Sequence, residues 1–156
     1  MYRITLEHNF ETAHRLSSPG APTKCQSIHG HSWWVKATIA GEQLDEMGML
    51  VEFGSFKKAW RAFLDDEVDH HLLVKQGDLV GEAILGAQPD ARLRFLPFDP
   101  TTEHLARWLH ERTSQILSQV SPREDLYVAG IHLQETRVNA AEFITPEPIG
   151  SAKTSK

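Results

Sequence analysis

The stretch Cys25-Gln26-Ser27-Ile28-His29-Gly30-His31-Ser32-Trp33-Trp34-Val35-Lys36-Ala37-Thr38-Ile39-Ala40 decides how the chain is read. From Ser32 to Ala40 it is aromatic and β-branched, and it ends at Gly41, which predicts a strand. Where the extended backbone reaches back to His29, side chains two apart share a face. The imidazoles of His29 and His31 then converge, with Gly30 removing bulk between them. Upstream, Ile4, Leu6, His8 and Phe10 alternate with Thr5, Glu7 and Asn9, which predicts a first strand continuing toward His14. Pairing the two strands antiparallel brings His14 to the other two histidines. Three neutral imidazoles form the donor set of an open tetrahedral zinc site, its fourth position left to water or substrate. The plainer alternative is a group of surface or hydrogen-bonded histidines.

Cys25 is the only cysteine of 156 residues, so no internal disulfide exists and a reducing, cytoplasmic setting is expected. It lies four residues before His29 in a loop bearing Gly, Pro and Lys. That placement suits a reactive thiol, although an inert core thiol is a common fate for free cysteine. Asp69 beside His70 offers a carboxylate that sets an imidazole tautomer; a histidine complementing a helix end is the alternative. Glu135, in Gln134-Glu135-Thr136, either ends a strand in solvent or accepts two parallel hydrogen bonds in a pocket. Glu103 reads as an N-terminal helix charge as readily as a ligand contact.

Around these residues the chain reads as one α+β domain over 1–144. A helix from about Ser55 to Asp66 carries Phe56, Ala59, Trp60, Phe63 and Leu64 on one face. A second begins after Pro100, with Thr101 or Thr102 as N-cap and Leu105, Trp108, Leu109, Ile116, Leu117 and Val120 as its stripe. Met49 to Phe53 reads as a short extended stretch, and two strands, Leu126 to Thr136 and Asn139 to Ile144, close the fold. In the strand from Leu126, Tyr127, Ala129, Ile131 and Leu133 share a face. The order strand, strand, helix, helix, strand, strand predicts a four-stranded antiparallel sheet with two helices on one face. Residues 75–99 read as a long loop insertion and residues 145–156 as a disordered tail. A net charge of −5 argues against a nucleic-acid binder that works by phosphate neutralisation, and the short apolar runs argue against a membrane span.

Taken together, several fragments resemble the 6-pyruvoyltetrahydropterin synthase/6-carboxytetrahydropterin synthase family. They are Phe10-Glu11-Thr12-Ala13-His14-Arg15-Leu16, Cys25-x3-His29-Gly30-His31, Val68-Asp69-His70-His71-Leu72, Pro100-Thr101-Thr102-Glu103 and Gln134-Glu135-Thr136. They keep the family order from position 10 to 136. The resemblance implies a tunnelling fold whose subunits pool their sheets into a barrel, as a homo-oligomer, typically a hexamer of two stacked trimers. It implies zinc held by His14, His29 and His31, with Cys25 as general base. His70, oriented by Asp69, relays protons, and Glu135 anchors the pterin and takes part in the relay. Thr102 and Glu103 join the substrate-binding set, and the active site lies between subunits.

The implied substrate is 7,8-dihydroneopterin triphosphate, and the implied chemistry is that of a lyase. The Cys-x3-His-Gly-His spacing resembles the bacterial branch, which releases triphosphate and acetaldehyde to give a 6-carboxy product on the way to queuosine and other 7-deazapurines. Alternatives are the 6-pyruvoyl branch, which only eliminates triphosphate, a non-catalytic zinc- and pterin-binding relative, and a zinc hydrolase. Departures from the family pattern are Val74 and His104 where Asn is frequent, Glu52 where Asp is frequent, and the longer segment from Lys75 to Asp99.

Overall fold

The computed structural model describes residues 1–146. In chain order the elements are β1 (Tyr2–His14), α1 (Thr23–Gln26), β2 (His29–Gly41), α2 (Phe53–Glu67), β3 (Leu72–Lys75), α3 (Leu79–Ala87), β4 (Leu93–Leu96), α4 (Thr102–Val120), β5 (Tyr127–Gln134) and β6 (Ala140–Ile144). β1 and β2 pair antiparallel over their whole length, from Tyr2↔Gly41 to His14↔His29. The expected β1–β2 pairing therefore holds, and β2 does start at His29. α2 and α4 cover one face of the sheet. Phe56, Trp60, Phe63 and Leu64 from α2 meet Leu105, Leu109, Ile116 and Leu117 from α4 above Leu6, Phe10, Trp33, Val35 and Ile39. Both helices are capped by side chains, Glu52 accepting from Gly54 and Ser55 N–H and Thr101 from His104 N–H.

The sheet is wider than the four strands expected. It has six, in the order β4-β3-β1-β2-β5-β6, and is mixed because β3 runs parallel to both β1 and β4. Residues 75–99 are therefore no loop: they hold the end of β3, then α3 and β4. Leu73 and Val74 are both fully buried, so β3 lacks the alternation that marks a half-exposed strand. α3 carries two glycines among its nine residues, which weakens its helical signal. Met49 to Phe53 forms no strand either. Leu50 and Val51 turn into the core and Phe53 opens α2.

The inward face of β5 also departs from simple alternation. A register shift sits opposite Thr38/Ile39, where Val128 pairs with Ile39 and Gly130 with Thr38. The extra residue, Ala129, moves the phase by one, so Val128 rather than Tyr127 faces the core. Thr145, placed by the sequence in the tail, is held by β5 through its N–H to Ala129 O at 3.0 Å. The rest of the expected tail, from residue 147 on, lies outside the described residues.

Where α2 crosses α4, Trp60 Nε1–H donates to Thr113 Oγ1 at 3.1 Å, with both residues buried. Thr113→Val keeps the shape and strands that donor. It is expected to cost about 1–3 kcal/mol in urea unfolding, and a change below ~0.5 kcal/mol would show the bond to be idle.

Candidate active site

The register His14↔His29 puts two imidazoles side by side at the end of the β1–β2 ladder, and His31 lies two residues further along the same face. Ring centroids are 4.4 Å apart for His14–His29, 5.2 Å for His14–His31 and 5.1 Å for His29–His31. One ligand atom from each lies within 4.8 Å of the others. His14 Nδ1 sits 2.7 Å from Pro100 O, and His29 Nδ1 sits 2.8 Å from Ser27 O. A carbonyl can only accept, so both Nδ1 atoms carry the proton and both Nε2 lone pairs are open. Among the described residues, His14 Nε2 is buried without a hydrogen-bond partner. A buried lone pair with no donor facing it is what a cation would satisfy, so the residues fit a metal.

Burial is the first cause holding His14 below the usual histidine range, and the same is true of His31. Each ring is thus neutral at pH 7, the form that binds a metal. Trp33 lies edge-on to both, at 5.2 Å from His14 and 5.4 Å from His31, and is itself anchored by Nε1–H to Thr12 O at 3.1 Å. Glu135 completes the group from the β5–β6 connection. Its Oε1 is 3.7 Å from His14 Nε2 and 3.8 Å from His31 Nε2. An open cleft of about 760 Å³ runs from His31 past Trp34 to Glu135 and Arg137.

A second cleft, of about 540 Å³, starts from the other side of His31 and reaches His70, His71 and Arg92. Gly30 lines both. A Cβ there would lie 3.7 Å from Thr12 O, an ordinary contact, so the convergence of His29 and His31 does not depend on a missing side chain. His70 Nδ1–H donates to Asp69 Oδ2 at 2.6 Å, as the pair was read from the sequence. The exchange with β1 is reciprocal: Glu11 N–H donates to Asp69 Oδ1 at 2.8 Å, and His70 N–H to Glu11 O at 2.7 Å. Burial pushes Asp69 up, but the bonds from Glu11 and His70 outweigh it and hold its carboxyl below the usual range. His71 lines the same cleft, its Nδ1–H bonded to Asp69 O at 3.0 Å.

Cys25 lies on α1, tied to the segment just after β1 by Leu16 N–H donating to its carbonyl at 2.8 Å. Thr102 and Glu103 open α4 just after Pro100. Among the described residues neither side chain bonds to the histidines; what links this turn to the group is the Pro100 carbonyl. Sequence reasoning passed over Pro100, Ser27 and Trp33 as supports of the rings. Two of them act through backbone carbonyls, which carry no side-chain signature; the Trp33 position was legible from its parity with His29 and His31.

Residues 3–146 match the 6-pyruvoyl tetrahydropterin synthase family. A 6-carboxy-5,6,7,8-tetrahydropterin synthase of Rickettsia bellii is 33% identical over 137 residues, which cover 87% of this chain and 95% of that protein. The solved 6-pyruvoyl tetrahydropterin synthase of Caenorhabditis elegans is 24% identical, with a TM-score of 0.64 over 94% of this chain and 98% of its own. An uncharacterised Wolinella succinogenes protein of known structure is 20% identical, with a TM-score of 0.77 over 93% of this chain and 98% of its own. These structural likenesses carry the fold, and the expected α+β tunnelling-fold class holds. No helix among the described residues is long and apolar enough to cross a membrane.

Four histidines, His8, His14, His31 and His71, are held below the usual range, burial being the first cause in each. Below about pH 6.5 the unfolded chain therefore takes up protons that the folded chain refuses. Stability from these groups is present in full above that pH and lost as pH falls through it. Metal-free protein is expected to show a urea midpoint that is level from pH 8 to 7 and declines from pH 6.5 to 5. A midpoint that rises toward pH 5 would contradict the assignment.

Proposed function

This chain belongs to the 6-pyruvoyl tetrahydropterin synthase family, and on that premise we propose that it acts as a zinc-dependent 6-carboxy-5,6,7,8-tetrahydropterin synthase. The reaction is that of a lyase: 7,8-dihydroneopterin triphosphate takes up one water and loses triphosphate and the two-carbon end of its side chain as acetaldehyde, leaving the 6-carboxy group. The observation that carries the reading is the buried, unpartnered His14 Nε2 among His29, His31 and Glu135. The name of the Rickettsia bellii relative supports the 6-carboxy product over the 6-pyruvoyl one.

In this proposal His14, His29 and His31 hold the zinc, which when bound supplies Lewis-acid polarisation of the substrate's side-chain oxygens. Pro100 O and Ser27 O keep the Nε2 atoms of His14 and His29 turned inward. Glu135 accepts two parallel hydrogen bonds from the pterin edge and so orients the ring toward the histidines. Cys25, as thiolate, removes the side-chain proton. His70, its Nδ1–H fixed on Asp69, keeps Nε2 available to move a proton. Thr102 and Glu103 contribute substrate contacts at the start of α4. The proposal includes a homo-oligomer of stacked trimers, in which Asp69 and the 70% exposed His70 side chain serve a neighbouring subunit's Cys25. It also includes a cytoplasmic setting and the route to queuosine and other 7-deazapurines.

Turnover of 7,8-dihydroneopterin triphosphate, followed by mass spectrometry with metal analysis of the same sample, is the test. The native chain should carry zinc and release acetaldehyde; a 6-pyruvoyl product without acetaldehyde would move the protein to the other branch. Cys25→Ala is expected to lose about 10²–10⁴-fold in turnover while retaining zinc. His29→Ala should lose the zinc as well. A native chain that binds zinc and pterin yet turns nothing over would leave only a binding protein.

A further inference from the structure

α1 is a helix of four residues that buries none of them and has no side-chain cap at its start. So short a helix has no stability of its own, and no apolar face seats it. It nevertheless carries Cys25. What fixes it is a set of polar tethers. Cys25 N–H donates to Pro22 O and Leu16 N–H to Cys25 O, both at 2.8 Å. Arg15 Nε–H donates to Gln26 O, also at 2.8 Å.

Arg15 is in turn gripped from the far side. Its Nη1–H donates to Asp78 Oδ2, and the Asp78 side chain is wholly buried. The other Asp78 oxygen accepts Gly81 N–H at 2.9 Å and so caps α3. α3 is seated hard on the sheet, since a Cβ at Gly81 would lie 2.9 Å from Val74 Cγ2 and 3.2 Å from the Phe95 ring. A continuous line of contacts thus runs from β3 and β4 through α3, Asp78 and Arg15 to the backbone beside Cys25. Two braces run alongside it: Lys75 Nζ–H donates to Ser18 Oγ at 3.1 Å, and Ser17 N–H donates to Asp99 Oδ1 at 2.7 Å. Lys75, Asp78 and Asp99 all belong to segment 75–99.

A buried ion pair adds little net stability over apolar packing of the same volume. Its two-ended geometry is another matter, because one rigid guanidinium spans both acceptors. We infer that Arg15 and Asp78 are positioning residues that set where Cys25 stands, with the β3–α3–β4 segment as the platform they bear on. The inference deepens the proposed function, since it rests on Cys25 as the base.

The chain has a single cysteine, so whole-protein alkylation by iodoacetamide reports Cys25 alone. Asp78→Asn keeps an acceptor for Gly81 N–H and removes the charge that grips Arg15. Arg15→Lys keeps the charge and loses the fork. In metal-free protein each variant should alkylate about fivefold faster or more, the freed turn exposing its thiol. With substrate, kcat should fall about tenfold or more while KM stays within about twofold, as misplacement of one group predicts. Near-UV circular dichroism checks that the fold is kept. If either variant fails to fold, Ser18→Ala and Lys75→Met release the neighbouring Lys75–Ser18 brace to the same platform and are read by the same alkylation rate. Folded variants whose alkylation stays within about twofold of the native rate would overturn the inference. A native chain without turnover would sink the proposed activity and leave the alkylation comparison standing.

Discussion

The hydrogen-bonded register of β1 against β2 is the constraint from which the rest of the molecule follows. Trp33, Val35, Ala37 and Ile39 of β2 are each 1% exposed or less, and every second residue between them faces the other way. A slip of one residue would drive that whole set into solvent and bring Trp34, Lys36 and Thr38 inward. At roughly 1.5–3 kcal/mol for each large apolar side chain, the slip is forbidden. His29 and His31 have the same parity as Trp33, so the core that fixes Trp33 also fixes them beside His14. The geometry of the three histidines is thus held by apolar burial along β2. Trp33 joins the two jobs, with its ring in the core and its edge against two of the histidines.

Within this frame His14 is the costly member. Its ring is buried, one nitrogen is spent on Pro100 O and the other faces no donor. An unsatisfied buried acceptor costs about 1–3 kcal/mol. A metal bound at the lone pair would remove that cost, and its binding would then be coupled to folding at this ring. The Pro100 contact matters beyond the tautomer, because Pro100 immediately precedes the Thr101 cap of α4. Seating α4 on the sheet and aiming His14 are therefore one event.

Legibility in the sequence followed the strength of local period. β1, β2, α2 and α4 are long, half-buried and regular, so alternation and the 3–4 spacing found them. The same parity rule placed the three histidines together, and the neighbouring pair Asp69–His70 was legible because its partners are adjacent. β3 was not, since a strand buried on both faces has no alternation to read. The phase change in β5 hung on one bulge, which depends on its partner strand. Arg15 and Asp78 are 63 positions apart, and nothing local to either announces the other. α1 escaped for a related reason: its conformation is imposed by tethers and owes nothing to its four residues' own preferences.

The groups of the site differ in how they are held, and the difference matches the tasks proposed for them. The histidine triad stands on two long paired strands, where backbone hydrogen bonds leave least freedom. His70 stands on a turn with φ of +57°, a left-handed conformation that costs a non-glycine residue roughly 1–2 kcal/mol. That strain is offset locally by the reciprocal pair of bonds between Glu11 and residues 69 and 70. The turn is thereby fastened to β1 three residues from His14, and a relay group gains a fixed origin without being buried. Cys25 is fastened by the backbone bond from Leu16 and, one residue on, by the Arg15 guanidinium, which reaches a carboxylate on another element. A group that must reach a substrate proton gains from a support set apart from the ligand strands, because its position can then be adjusted without disturbing them. On the role proposed for Cys25, segment 75–99 would be such a support, and the widened sheet would then serve the chemistry from the edge.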